Sequence, residues 1–135
     1  MSVVTVTESI SKHWRAELAI EIARIDQRSI ITRNKHQGPY LVQKPFYPEG
    51  PGCCHVYLIH PPGGIAGGDQ LHLQVVLQAG AHALLTTPSA SKFYRCELPS
   101  QQTQHFTLNE AAVLEWFPQE NIFFDGTHTK LTTRV

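Results

Sequence analysis

The chain has 135 residues, with 11 basic and 11 acidic side chains, a formal net charge of zero, 41% hydrophobic content and 16% charged content. One ordinary domain fits that length, and neutrality argues against a strongly basic nucleic-acid binder or a polybasic membrane-surface protein. No apolar run approaches the ~20 residues of a membrane span, and Met1 to Ile10 has neither the charged n-region nor the apolar h-region of a signal peptide.

Residues 1–11 are polar and β-branched, and 1–13 read as a flexible lead-in. From Trp14 the chain alternates, with Ala16, Leu18, Ile20 and Ile22 on the face of Trp14. A helical template (Trp14, Leu18, Ile22, Ile25) also fits but leaves Ile20 exposed, so a strand is preferred. Ser29 to Thr32 is a short β-branched run. Gly38-Pro39 breaks the chain and Tyr40 to Val42 resumes it. Prolines and glycines from Pro45 to Gly52 make a loop. Cys54 to Ile59 is an apolar strand. The segment from Pro61 to Asp69 starts rigidly with two prolines and then carries four glycines. Leu71, Leu73, Val75 and Leu77 mark the clearest half-buried strand. Ala79-Gly80 is expected to turn it back into Ala81 to Thr87, and Pro88 ends that strand. Ser89 to Tyr94 reads as one helical turn or a loop. Gln102 to Leu108, Ala112 to Phe117 and Ile122 to Phe124 are further strands. Asp125-Gly126 signals a hairpin, after which Thr127 to Val135 alternates and stops.

This spacing predicts a mostly β domain. No sequence repeat is visible, and no linker divides residues 14–135. A chain that stops on an alternating strand suggests a fragment, because an unpaired strand is an aggregation hazard.

Four motifs invite chemistry. The glycine segment lacks the spacing of a phosphate cradle, and a strand rather than a helix follows it. Asp69 at its end either hydrogen-bonds the loop backbone or faces a polar cavity. Ser89-Ala90-Ser91-Lys92 has the S-x-x-K spacing of serine acyl enzymes, but the companion elements are absent. Eight histidines and three cysteines raise the question of metal. Cys53 and Cys54 are adjacent and no C-x-x-C exists, which points to neither a disulfide framework nor a preformed zinc site and suits a reducing cytoplasm. Cys53 and His55 share a strand face, Cys54 lies on the other, and His55 and His60 face opposite ways. The Ala79-Gly80 hairpin would set 72 opposite 87 and 82 opposite 77, keeping His72 and His82 apart. Cys54, His55 and His60 are left as weak or transient metal contacts. The aromatics in Leu114 to Glu120 fill a core, with Glu115 and Glu120 solvated. No catalytic set emerges, so a binding or scaffold role is favoured over an enzyme.

Taken together, these segments resemble a known family. Gly38-Pro39, Val42 to Gly50, Cys54 to Ile65, Gly67-Gly68-Asp69, Thr86 to Arg95 and Leu114 to Phe124 are similar, in order, to the urease accessory protein UreD (UreH) family. The resemblance covers Trp14 to Val135 and implies the N-terminal half of a longer β domain. The implied fold is a β-helix-like, two-layer stack of short strands with little helix. The implied function is non-catalytic. UreD-type proteins bind apo-urease in the cytoplasm and recruit UreF and, through it, the GTPase UreG. Nickel(II) then passes transiently to the urease site, with no tightly bound cofactor. Asp69 and Ser91 match the wall of the family's proposed nickel passage. Gln70, where relatives can have an acid, and Cys53, a second thiol, depart from the pattern. A nickel-storing or sensing His/Cys protein, or a serine-acyl hydrolase using Ser89 and Lys92, are the competing readings.

Overall fold

The computed structural model describes residues 15–60 and 64–135. The expectations for the lead-in, for Trp14 and for the Pro61-Pro62-Gly63 start of the glycine segment lie outside the described residues. Within them the regular structure is all strand: β1 (Arg15–Ile25), β2 (Arg28–Gln37), β3 (Leu41–Val42), β4 (Cys53–Ile59), β5 (Gly64–Ile65), β6 (Gln70–Leu77), β7 (His82–Thr86), β8 (Ser91–Phe93), β9 (Ser100–Leu108), β10 (Val113–Phe117), β11 (Asn121–Phe123) and β12 (Thr129–Arg134). Among the described residues no helix is long and apolar enough to cross a membrane.

After the β1–β2 hairpin the chain coils. β4, β7 and β10 are parallel neighbours in one sheet, β5, β8 and β11 in a second, and β6, β9 and β12 in a third. Each circuit therefore lays one strand on each of three walls. Cys53 stands against His82, and His82 against Val113, so a circuit takes about thirty residues, the period of a solenoid repeat. The fold is β-helix-like, as the family resemblance implies, but the narrow β5–β8–β11 wall makes a third side beside the two larger sheets. β1 runs parallel to β6 and antiparallel to β2, so the hairpin extends the largest sheet, ordered β12-β9-β6-β1-β2.

Strand alternation places the core. Ala16, Leu18, Ile20 and Ile22 of β1, Leu71, Leu73, Val75 and Leu77 of β6, and Val56, Leu58, Leu85 and Phe93 are buried inside the coil. Burying each large aliphatic side chain contributes about 1.5–3 kcal/mol. These residues hold the circuits together.

Two expected hairpins are corners instead. Ala79-Gly80 does not fold β6 onto β7, because the two strands belong to different sheets. The Ala81 N–H donates to the Gln78 carbonyl at 3.0 Å, with Gly80 at φ 74°. Such a turn bends the chain around the coil as readily as it reverses it. The expected opposition of 72 with 87 and 82 with 77 therefore fails. His72 lies between Glu17 and Thr103, and His82 between Cys53 and Val113. Asp125-Gly126 is a second corner, with Gly126 at φ 82° and the Thr127 N–H on the Phe124 carbonyl at 3.2 Å. The hairpin joining β1 and β2 turns at Asp26 (φ 51°) and Gln27 (φ 65°). It lacks the glycine that normally flags such a turn. The Ser89 to Tyr94 segment, read as a helical turn or loop, contains strand β8, which pairs with β5 and β11.

Candidate functional site

The inside of the coil changes character along its axis. Inward positions of β6 are apolar: Leu71 and Leu73. The positions aligned with them on β9 are Gln102 and Gln104, and on β12 Leu131 and Thr133. The Thr133 hydroxyl donates to Gln104 Oε1 at 2.8 Å. Beside them runs a second polar column. The Gln101 N–H donates to the Asp69 carbonyl at 2.9 Å, and Ser100 Oγ shares a 2.8 Å hydrogen bond with Thr129 Oγ1. Asp69 and Ser100 are both buried.

Gln102, Gln104 and Thr133 border a partly open chamber of about 220 Å³. His60, Ser89, Ser91, Gln102, Gln104 and Asn121 supply polar lining, and Tyr40, Leu58, Ile65 and Trp116 apolar lining. His60 Nε2 and Gln102 Oε1 are buried and have no hydrogen-bond partner among the described residues. Buried polar atoms in that state are costly unless the site serves a polar occupant. Burial pulls the His60 imidazole below its ordinary pKa, while the Asp69 carboxylate pulls the other way. The His60 ring meets Tyr40 edge-on at 6.4 Å, and burial pushes the Tyr40 phenol up.

The residues singled out from the sequence fall in different places. Asp69 is 2% exposed. Its Oδ2 accepts the Ala66 N–H at 2.9 Å, and its own N–H donates to the Ala66 carbonyl at 3.1 Å, with Gly68 at φ 83° between them. Asp69 thus holds the glycine turn, and its charge partly offsets the effect of burial at His60. Ser91 lines the chamber, and its N–H donates to the Glu120 carbonyl at 3.0 Å. Ser89 precedes a strand rather than lying on a helix, and Lys92 is exposed. The S-x-x-K spacing therefore does not create the helical serine–lysine pair that acyl chemistry needs.

Cys54, His55 and His60 do not converge. Cys54 is a core residue, its thiol pushed up by burial. His55 sits on the outer face, where Nε2 meets Glu49 Oε2 at 2.5 Å, and His60 borders the chamber. The outer face holds a grouping that the sequence reading missed. Cys53 lies near Glu49 and His55, and also near His82 and Glu115. Burial and the Glu49 carboxylate push the Cys53 thiol up to about 12, while hydrogen bonds from His55 and Cys53 hold Glu49 below its ordinary value. The shared face of Cys53 and His55 was visible as alternation. The approach of His82 and Glu115 depends on parallel register between distant strands.

The model of the UreD urease accessory protein family matches residues 14–135. The chain belongs to the UreD urease accessory protein family. It is 46% identical over 125 residues to the urease accessory protein UreD of Delftia acidovorans, covering 91% of this chain and 41% of that protein. It is 48% identical over 128 residues to the UreD of Saccharophagus degradans, covering 93% and 43%. Against the UreD of Methylobacillus flagellatus the figures are 48% over 125 residues, 92% and 44%. The chain therefore spans less than half the length of these curated relatives. Three of the segments that carry the resemblance supply chamber lining: Leu58 to His60 with Ile65, Thr87 to Lys92, and Trp116 with Pro118 and Asn121. Gly64 to Asp69 leads from β5 to the start of β6, Thr86 to Arg95 runs through β8, and Leu114 to Phe124 runs through β10 and β11.

Proposed function

We propose that this chain is part of a non-catalytic urease-maturation scaffold. In this reading it links apo-urease to UreF and, through UreF, to the GTPase UreG, and it helps deliver nickel(II) as cargo to the urease site in the cytoplasm. One observation carries the proposal: the coil interior changes from the leucines of β6 to the amides of β9 and the Thr133 hydroxyl of β12, around a chamber bordered by Ser91 and His60. Amides, hydroxyls and one nearby carboxylate can solvate a divalent ion without trapping it. A conduit must bind weakly enough to release what it carries. Asp69 would bias the passage toward cations, and Ser91 would supply a neutral oxygen.

The test is Asp69→Ala in the full-length protein, scored by urease activation and by co-purification with UreF and apo-urease. The expected result is reduced activation with assembly intact. If assembly fails as well, Asp69 acts only through the Ala66–Asp69 turn, and its role in the conduit is refuted. Co-purification of the 135-residue chain with UreF addresses the partner assignment directly. A soluble complex would place partner contacts in these circuits.

A further inference from the structure

The outer face of the β4–β7–β10 wall gathers soft and borderline donors from three adjacent strands. Cys53 and His82 are register partners, and Glu115 is two residues beyond Val113, the partner of His82. The period-2 pleat puts Glu115 on the same face as Val113. His82 Nε2 lies 3.1 Å from Glu115 Oε2, with side chains 35% and 38% exposed, while Cys53 is buried. The Cys53 sulfur, a His82 nitrogen and a Glu115 oxygen all lie within 4.8 Å of one another. Tetrahedral zinc, with bonds of about 2.0–2.3 Å, sets its ligand atoms roughly 3.5 Å apart. Small side-chain rotations therefore suffice to close the triad.

The backbone holds the donors in place. Ser29 is fully buried. Its hydroxyl donates to the Gly52 carbonyl at 2.7 Å and accepts the His82 N–H at 3.0 Å. One side chain thus ties down the starts of β4 and β7, where Cys53 and His82 stand. Ligands on registered strands are better preorganised than ligands on a loop. Glu49 and His55 form a second triad with the same sulfur, but Glu49 comes from an exposed loop.

We propose that Cys53, His82 and Glu115 form a binding site for one divalent transition-metal ion of the zinc and nickel class, on the outside of the coil and separate from the interior chamber. Thiolate, imidazole and carboxylate together suit borderline ions, whereas magnesium and calcium take oxygen ligands. Three protein ligands leave a coordination position open for water or an exchanging ligand. His55 and Glu49, hydrogen-bonded to each other on the same face, flank the site and orient Cys53.

Cobalt(II) is the probe, because a bound thiolate gives it a near-ultraviolet charge-transfer band. The full chain is titrated with cobalt, and zinc and nickel are then used to displace it. The expected result is one equivalent of cobalt with the thiolate band, displaced by zinc or nickel and not by magnesium. Cys53→Ser should abolish the band. His82→Gln and Glu115→Gln should weaken binding at least about tenfold, and His55→Gln should weaken it far less. Glu115→Gln alters a partly exposed side chain and is expected to keep the native circular-dichroism spectrum, so the test does not depend on the buried Cys53 variant. Absence of the band, its persistence in Cys53→Ser, or unchanged affinity in both His82→Gln and Glu115→Gln would overturn the proposal. So would a greater loss with His55→Gln than with His82→Gln, which would place the ion on the exposed loop triad.

Discussion

Tyr94 occupies the space in which a side chain on Gly64 would stand. A Cβ on Gly64 would come within 2.1 Å of Tyr94 Cε2. The Tyr94 ring is itself stacked on Phe124 at 5.4 Å and 17°. The glycine of one circuit, the tyrosine of the next and the phenylalanine of the third thus form a column on the narrow wall. Gly64→Ala is expected to push the ring off Phe124 and cost about 1–3 kcal/mol by denaturant titration. Adding Tyr94→Ala should make the double variant lose much less than the sum of the singles. A neutral Gly64→Ala would mean that the stack does not hold the ring.

The buried imidazole in the chamber makes stability depend on pH. His60 has a lowered pKa in the folded state because of burial. The unfolded chain therefore binds the proton more readily, and stability rises with pH through the unfolded histidine value. Stability is expected to fall from about pH 7 to about pH 5 as the unfolded imidazole charges. His60→Gln should show a shallower decline over the same range. Equal slopes would show that His60 is not the group responsible.

The three thiols should separate by reactivity. Cys53 is buried with its thiol raised to about 12, Cys54 is buried and raised, and Cys96 is partly exposed. Because the thiolate is the nucleophile, alkylation of the native protein at mildly alkaline pH should modify Cys96 alone. Cys53 and Cys54 should react only after denaturation. Peptide mass spectrometry reads the sites directly, and early labelling of Cys54 would contradict its place in the core.

Corner geometry gives a stabilising change. Gly80 and Ala111 occupy equivalent turns, with the Ala81 N–H on Gln78 and the Ala112 N–H on Asn109, each at 3.0 Å. Ala111 has φ 58° where Gly80 has φ 74°. The left-handed conformation costs a residue with a Cβ about 1–2 kcal/mol. Ala111→Gly should therefore raise stability by roughly 1 kcal/mol, less the entropy that glycine adds to the unfolded chain. Gly80→Ala should lower stability, and thermal denaturation of the pair checks both signs.

The mostly β class was legible because alternation is local. Leu71 to Leu77 needs no knowledge of its neighbours to show which face is inside. The route of the chain was not legible, because positive φ at Gly80 and Gly126 serves a corner and a hairpin alike. The one tight hairpin in the coil's lead strands turns on Asp26 and Gln27, which carry no such flag. The repeat was hidden for a related reason. Leu73, Gln104 and Thr133 occupy one inward column yet share no residue type, so equivalence lies in register rather than in sequence. Asp69 is visible in the sequence as the end of the glycine segment, with turn and cavity both open, and the passage role of Ser91 and Asp69 comes through family resemblance. Neither residue's chemistry alone distinguishes a chamber wall from a loop. Cys53 and His82 are distant in the chain, and only parallel pairing makes them neighbours.

Three walls built from the same circuits leave each layer touching only the layers beside it. Energy in such a stack accumulates from neighbour to neighbour, so loosening spreads from an end and does not seize the whole molecule at once. β10, β11 and β12 each form the outermost strand of a wall, while the β1–β2 hairpin braces the other flank of the largest sheet. In the 135-residue chain taken alone, amide exchange should therefore grade along the axis, fastest in these three strands. The chamber takes part of its wall from the outermost circuit. Trp116, Asn121 and Leu131 of that circuit share the lining with Leu58 and Leu71, while Leu18, Val56 and Leu73 pack within the core.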